Sequence, residues 1–491
     1  MIATPAGRNP ERVYPVRMLP NVLLIVFDTA RADAFEPYGA GEGAGPTVAQ
    51  LARRGSAFPL AVAPSNWTMP SHVGMLTGAL PRSIGLAGTP GGNPVNIRRS
   101  VQAQADRFLP EVLRGRGYAT SAVSCNTWIS RYTGFDLGFE TFEDAHSERQ
   151  ARMRQAGLRA RMAWAAEAVQ ARVDDGARAA EGHLNRWLAA GVKSPFFWFV
   201  NLIECHSPYM PPRPYNDLSV RQRFRVSSEA RRHLTLHEFW RACLVGDEIP
   251  TDTLGRMRHL YGRSIRLMDD WLARVMEALD RAGVLDDTYV IVTSDHGENF
   301  GEGRLIGHSF SLDQRLTWVP LVVAGPDRIS AGPVTSLTSV PRLIAEAAGL
   351  TQHPWMEDAV PPGLGVSQYD RSATREDPRV QEVIGDWGLS EDAIARLVEP
   401  ATSVTDGRWK IVRFGERELI YDLRADPLEL APVRLNGGAG PDADVLRLRS
   451  MVEQAHHSGR ETDALAADEG KGHVDSETAA LEGRLRELGY L

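Results

Sequence analysis

The sequence predicts an α/β protein: a mostly parallel, doubly wound sheet between two helical layers (a three-layer α/β/α sandwich), followed by a small antiparallel-sheet and helix domain. Three observations carry that reading. Short apolar runs alternate with stretches of helical propensity. At 491 residues the chain is too long for one simple core, so a large domain and a smaller one are expected. After Ala348 the alternation stops and the sequence becomes loop-rich, then hairpin-like. The boundary is placed at 350/351, giving domains over 1–350 and 351–491.

The elements follow in order. The run 21–27, Asn-Val-Leu-Leu-Ile-Val-Phe, is continuously apolar and stops at Asp28, as a strand buried on both faces does. A short helix over 47–55 closes at glycine. Another begins at Pro70 and runs to Thr77, with proline in its first turn. A helix over 108–116 is broken by Gly117 and followed by a strand over 118–123. The stretch 149–190 is rich in alanine and arginine and helical by propensity. A second buried strand covers 195–202. The polar, proline-punctuated stretch 209–250 has a helical middle. It reads, with 145–190, as a helical insertion near the site. A long amphipathic helix spans 254–282, and further buried strands fall at 288–293 and 319–324. Residues 352–378 read as loop. Short antiparallel strands are expected within 402–423, turning at Gly415. The tail 435–491 is charged and helical in parts, with 437–442 and 466–472 expected to be mobile. There is no internal repeat.

Composition excludes several classes. Apolar residues make up 43% and charged residues 24%, the balance of a globular protein. A net charge of −7 argues against nucleic acid as a partner, which would call for a basic excess. Cys125, Cys205 and Cys243 are too few and too scattered for a disulfide framework or a zinc ribbon. Residues 1–20 are broken by four prolines and lack the apolar core of a signal peptide. The run 22–27 is far shorter than the roughly 20 residues a bilayer requires. A cytoplasmic protein with no membrane partner is expected, and self-association into a homo-oligomer is left open.

Ligands of open parallel sheets bind beyond the carboxyl ends of the strands. Asp28, the Glu204–His206 turn and the Asp295–His296 pair each follow a predicted strand. Two carboxylates and one imidazole suit a divalent ion: Mg²⁺, Mn²⁺, Ca²⁺ or Zn²⁺. A cation touching the Thr68 hydroxyl would lower its pKa and make it a nucleophile. A helix beginning near Pro70 would place free amides before an anionic group there. Each piece alone has a bland reading. An aspartate after a strand is ordinarily a cap, Asp-His-Gly is a weak motif, and a threonine two residues before proline is ordinarily an N-cap. In this order, on strand ends, they point together to a metal-assisted ester site. His233, His237, His456, His457 and His473 lie in polar segments and read as solvated. Cys205 reads as a buried strand-end thiol, and Asp269 and Asp270 as fold supports rather than metal ligands. Trp67 is expected to pack over the nucleophile turn.

These residues resemble the sulfatase branch of the alkaline phosphatase superfamily over nearly the whole chain. The resemblance is carried by Pro20–Asp28 with Arg31, Asp33, Tyr38 and Gly39, by Trp67–His72 and Leu76–Gly78, and by Gly134–Phe139. It continues through His206–Tyr209, Tyr261–Asp269, Val290–Glu298, Val319–Leu321 and Tyr421–Pro427. It implies an alkaline phosphatase-like fold and a small anionic ester as substrate. It also implies metal ligation by Asp28, Asp295 and His296, with Thr68 at the nucleophile position. His206 matches a histidine that contacts the oxyanion or leaving group, and Asn126 falls where a polar substrate contact is expected. His308 stands where sulfatases commonly place a lysine. It would bind the oxyanion, protonate the leaving group or ligate a second metal, so one ion or two remain open.

The departures from that family narrow the chemistry. Its sulfatases oxidise a cysteine or serine to formylglycine. Threonine carries a methyl on Cβ and cannot become that aldehyde. His72 replaces the usual arginine and is expected among the substrate contacts. Thr29 replaces the usual second aspartate, and none of Lys193, Lys410 and Lys471 falls at an active-site lysine position. A threonine nucleophile resembles instead the phosphodiesterases, phosphonate hydrolases and phospho-group transferases of the superfamily, which pass through phosphothreonine. The expected function is metal-dependent hydrolysis or transfer of a phosphate or phosphonate ester. A sulfatase working without formylglycine and a non-catalytic anion binder are the alternatives.

Overall fold

The computed structural model describes residues 19–88, 94–146, 157–233, 236–371, 374–433 and 443–458. The expectations for 149–156, 437–442, 466–472 and His473 lie outside the described residues. A seven-stranded sheet forms the centre, in the order β2-β11-β7-β1-β6-β4-β5. These strands are β1 Asn21–Phe27, β2 Ser56–Ala57, β4 Ala119–Ser124, β5 Thr141–Asp144, β6 Phe196–Leu202, β7 Thr288–Thr293 and β11 Leu321–Ala324. β1 lies between β6 and β7, parallel to both, and β4 and β5 extend the parallel part beyond β6.

β1 explains the two helical layers. Leu23, Ile25 and Phe27 face one core, while Val22, Leu24 and Val26 face the other. Alternate residues of a strand point to opposite faces, so an unbroken apolar run requires cover on both sides. On the first face lie α1 (Pro46–Arg54), the 177–189 helix and the 31-residue helix Thr251–Arg281, through Val48, Leu51, Leu184, Leu267 and Trp271. On the second lie α2 (Thr68–Thr77), the 109–114 helix and the 340–347 helix, through Val73, Leu76, Leu113 and Ile344.

Three expectations need correction. The run 319–324 is not one strand. Pro320 splits it: Trp318–Val319 (β10) pairs with Ala61–Val62 (β3) in a small sheet, and β11 joins the main sheet antiparallel to β7. Proline has no amide hydrogen to donate, so the ladder changes partner there. Residues 365–369 (β13) form a buried strand where loop was expected. Its sequence, Gly-Val-Ser-Gln-Tyr, lacks an apolar run, but its polar groups are satisfied internally. Ser367 Oγ donates to Ala63 O and Gln368 Nε2 to Ala455 O. Finally, His456 is buried rather than solvated, with Nδ1 2.9 Å from Thr402 Oγ1.

β13 leads a four-stranded antiparallel sheet with β14 Ala401–Thr405, β15 Trp409–Phe414 and β16 Arg417–Asp422. The 443–457 helix covers it through Val445, Leu448 and Val452. Buried Arg82 binds this unit to the main domain. It pairs with Asp370 at 2.6 Å and donates to Thr402 Oγ1 and to the Ala455 and His456 carbonyls.

Candidate active site and metal centre

The ends of four neighbouring strands converge. Phe27 pairs with Leu202 and Val26 with Thr293, while Ser124 pairs with Asn201. The chain therefore releases Asp28, Asn126, His206 and Asp295–His296 at one edge. Tight turns hold them there. Thr29 has a left-handed backbone (φ 62°), its amide donates to Asp295 Oδ1, and its hydroxyl turns back to the Asp28 carbonyl. At the position of the missing second aspartate, the side chain thus serves the turn. Gly297 allows a close approach, since a Cβ there would sit 1.9 Å from the Arg315 carbonyl oxygen.

Thr68 is the first residue of α2, two residues earlier than the sequence suggested. Trp67, in extended conformation, holds the N-cap position. Thr68 therefore does not cap the helix, and its hydroxyl is left for the site. Oγ1 lies 3.4 Å from His296 Nε2 and 3.3 Å from the Asn126 amide nitrogen. That same amide donates to Asp28 Oδ2 at 2.7 Å, which ties the Thr68 hydroxyl to the Asp28 carboxyl. Trp67 packs edge-on against Trp128 behind the turn.

Asp28, Asp295 and His296 are wholly buried and present ligand atoms within 4.8 Å of one another. His296 Nδ1 sits 2.9 Å from the Gly297 carbonyl, which can only accept, so Nδ1 carries the hydrogen and Nε2 offers a lone pair. Nε2 is 3.9 Å from Asp28 Oδ1 and 3.5 Å from Asp295 Oδ2. Those two carboxylate oxygens are buried without a hydrogen-bond donor among the described residues. Two buried anionic acceptors facing one imidazole lone pair are costly unless a cation joins them. The spacing fits: ligands about 2.1 Å from one ion in a tetrahedron stand about 3.4 Å apart. Asp269 is not part of this set. Its carboxylate accepts from the Thr47 and Val48 amides and caps α1.

Protonation follows from burial and neighbours. Burial, reinforced by the Asp295 charge, raises the Asp28 carboxyl well above the usual range. Burial also pushes Asp295 upward, but His296, His72 and two backbone amides outweigh it and hold it low. Burial lowers His296 to about 4, keeping its lone pair available at neutral pH.

The remaining predicted residues separate by exposure. Asn126, His206 and His308 border the open side, with the His308 side chain 22% exposed. The His308 ring centroid lies 4.6 Å from His296 and 5.2 Å from His206. Burial and the adjacent His308 lower the His206 pKa. Burial pulls His308 down too, but the charge and hydrogen bond of Glu298 more than reverse this. His72 does not fit the substrate-contact role expected for it. It is fully buried, its Nδ1 is 2.9 Å from the Thr68 carbonyl and 3.5 Å from Asp295 Oδ2, and its ring meets Phe135 and Phe199 edge-on. It stands behind Thr68 and holds that residue's carbonyl. Cys205 is a buried thiol raised by that burial, in keeping with an inert reading.

Two residues were missed. Asn66 donates to both the His308 and Ser311 carbonyls, joining the nucleophile turn to the His308 segment. Buried Glu298 holds His308 Nδ1 at 3.1 Å. Asn66 directly precedes the Trp67–His72 motif and Glu298 closes the Val290–Glu298 one, but their partners are 242 and 10 residues away.

The sulfatase family model matches residues 20–353, more than half of the chain. The chain belongs to the sulfatase family. This sulfatase-family chain is 27% identical over 217 residues to a choline-sulfatase of Rhizobium meliloti, covering 43% of the chain and 39% of that protein. It is 26% identical over 292 residues to the multifunctional alkaline phosphatase superfamily protein PehA of Trinickia caryophylli, covering 53% and 55%. It thus spans about half or less of these curated relatives. The phosphonate monoester hydrolase structure of Agrobacterium radiobacter aligns over 90% of this chain and 96% of that one, with TM-score 0.61 and 21% identity. That likeness shows the alkaline phosphatase-like fold. No helix among the described residues is long and apolar enough to cross a membrane.

Proposed function

We propose that this family member is a metal-dependent hydrolase or transferase of phosphate or phosphonate esters, with Thr68 as nucleophile. One observation carries the reading. The Thr68 hydroxyl, free of any capping duty, lies 3.4 Å from His296 Nε2, beside two buried carboxylate oxygens that receive no hydrogen bond from a described residue. Asp28, Asp295 and His296 would hold the divalent ion, and Thr68 would face it. When bound, the ion supplies positive charge that favours the alkoxide and the oxyanion.

The chain's own residues do the rest. Asn126 orients the Thr68 oxygen. Thr68 attacks phosphorus, its Oγ1–P bond forming as the bond to the leaving oxygen breaks. His206 or His308, on the open side, protonates that oxygen. Water or an acceptor hydroxyl then resolves the phosphothreonine. The amides at the start of α2 face the anionic group before attack. The 209–250 excursion shapes the pocket, since its Phe239 packs on Gly307 beside His308.

The relatives' names keep a sulfate ester as the second reading. Parallel assays on an aryl phosphodiester, an aryl phosphonate and an aryl sulfate separate the two. Thr68→Ala is expected to abolish turnover while leaving zinc or manganese binding, read by calorimetry, within a few fold. Full turnover by that variant refutes the threonine mechanism. Metal-free protein inactive on all three esters would favour a non-catalytic anion binder.

A further inference from the structure

We propose that Glu298 is a positioning residue that fixes the orientation of the His308 imidazole, so that a histidine can serve where the family commonly uses a lysine. This deepens the proposed function and rests on it. A lysine brings three donors on a flexible stem and needs no help to present one. An imidazole has two distinct nitrogens and a ring that can flip, and it acts usefully only when one nitrogen is pinned. Glu298 supplies that pin: its Oε1 lies 3.1 Å from His308 Nδ1. The other ring nitrogen makes no hydrogen bond to a described residue. The ring neighbours both that of His296 and that of His206, and its side chain is partly exposed.

The surroundings make the pin rigid. The Glu298 side chain is completely buried, one residue beyond Gly297, whose amide is bonded to the Leu316 carbonyl. Its second oxygen is also buried, and the Tyr209 phenol, raised first by burial, is raised further by the Glu298 carboxylate. The His308 backbone is clamped independently, by Asn66 from the nucleophile turn. Main chain and ring are therefore held from two sides, by Asn66 and Glu298, each two positions from Thr68 and His296 respectively. Fixing the tautomer and orientation of an imidazole by a carboxylate at Nδ1 is a general device of catalytic histidines. The one side-chain hydrogen bond of the Glu298 carboxylate to a site histidine is to His308, while its charge is also felt by His206, His296 and Asp28.

The test uses the full chain with zinc present, selectively ¹⁵N-labelled at histidine. Spectra of His308, assigned by loss in His308→Ala, should show hydrogen on Nδ1 in the wild type. Glu298→Gln keeps an acceptor and should preserve that tautomer and most of the turnover. Glu298→Ala should scramble the tautomer and lower kcat about 100-fold, with KM within a few fold. Glu298→Ala/His308→Ala should be no slower than His308→Ala alone. An unchanged His308 spectrum in Glu298→Ala overturns the proposal. So does a further large loss of kcat when Glu298→Ala is added to His308→Ala. The spectra need no turnover, so an enzyme inactive on every ester would sink the proposed function without touching the positioning claim.

Discussion

Glu429 offers a direct test of how the small sheet is joined to the site. It pairs with Lys410 Nζ at 2.7 Å, and both side chains are almost wholly buried. Lys410, on β15, also donates to the Leu312 carbonyl, Gln314 Oε1 and Thr317 Oγ1, so the pair grips the segment that follows His308. Burial outweighs the lysine and raises the Glu429 carboxyl from 4.5 to about 7. A carboxyl with a raised folded pKa binds its proton more tightly folded than unfolded. Its stabilising contribution is complete below about pH 4.5 and is lost as pH rises toward 7. A difference of about 2.5 units at 1.36 kcal/mol each sets a ceiling near 3 kcal/mol. Glu429→Gln mimics the protonated form and cannot titrate. Urea unfolding from about pH 5 to about pH 8 should show the wild type losing about 2 to 3 kcal/mol relative to the variant. Parallel pH profiles for the two proteins would refute the buried-carboxyl argument.

Further expectations follow from the same structure. Lys410→Met leaves Glu429 and three acceptors without their cation and should cost about 3–5 kcal/mol at neutral pH, measured by urea unfolding. Adding Glu429→Gln should recover part of that loss. Gly297→Ala forces a Cβ onto the Arg315 carbonyl and should weaken zinc affinity in calorimetry by at least about tenfold, through the adjacent His296. Chelation should lower the melting temperature, because Asp28 and Asp295 then face each other without a cation. At an ion concentration about 100 times Kd the linked stability is about 2.7 kcal/mol, and restoring zinc should return it. His72→Ala opens a cavity behind Thr68, so it should lower stability by about 2–4 kcal/mol and reduce kcat more than it raises KM.

The core of the fold was legible because β1, β6 and β7 are apolar on both faces, a pattern only a doubly covered strand satisfies. What escaped was wherever polar residues are buried with remote partners. β13 carries Ser367 and Gln368 into the interior because Ala63 and Ala455 accept from them. His456 is buried because Thr402 meets it. No partner is near in sequence, and a local pattern cannot reveal bonds that span 54, 87 or 304 residues. Pro320 did carry a local signal, since a residue without an amide hydrogen marks the point at which one apolar run serves two sheets.

The site shows the same division at higher resolution. Asp28, Asp295 and His296 were legible because each ends or follows a strand, and strand ends in a parallel sheet share one edge. His72 and His308 looked alike, each a histidine where a relative has a cation. The fold separates them by depth. His72 lies one helical turn past Thr68, so its ring bonds that residue's own carbonyl and is driven between Phe135 and Phe199. His308 follows Gly307 on a short strand at the cleft, and keeps one edge open. Type and spacing name candidates for charge, but the surface each side chain meets decides which one reaches a substrate. On that ground, with Thr68 unable to form an aldehyde, we propose that the cationic role at the open side falls to His308 and the supporting role to His72. The order of kcat losses in His308→Ala and His72→Ala at equal residual stability measures that assignment, and a larger loss from His72 would reverse it.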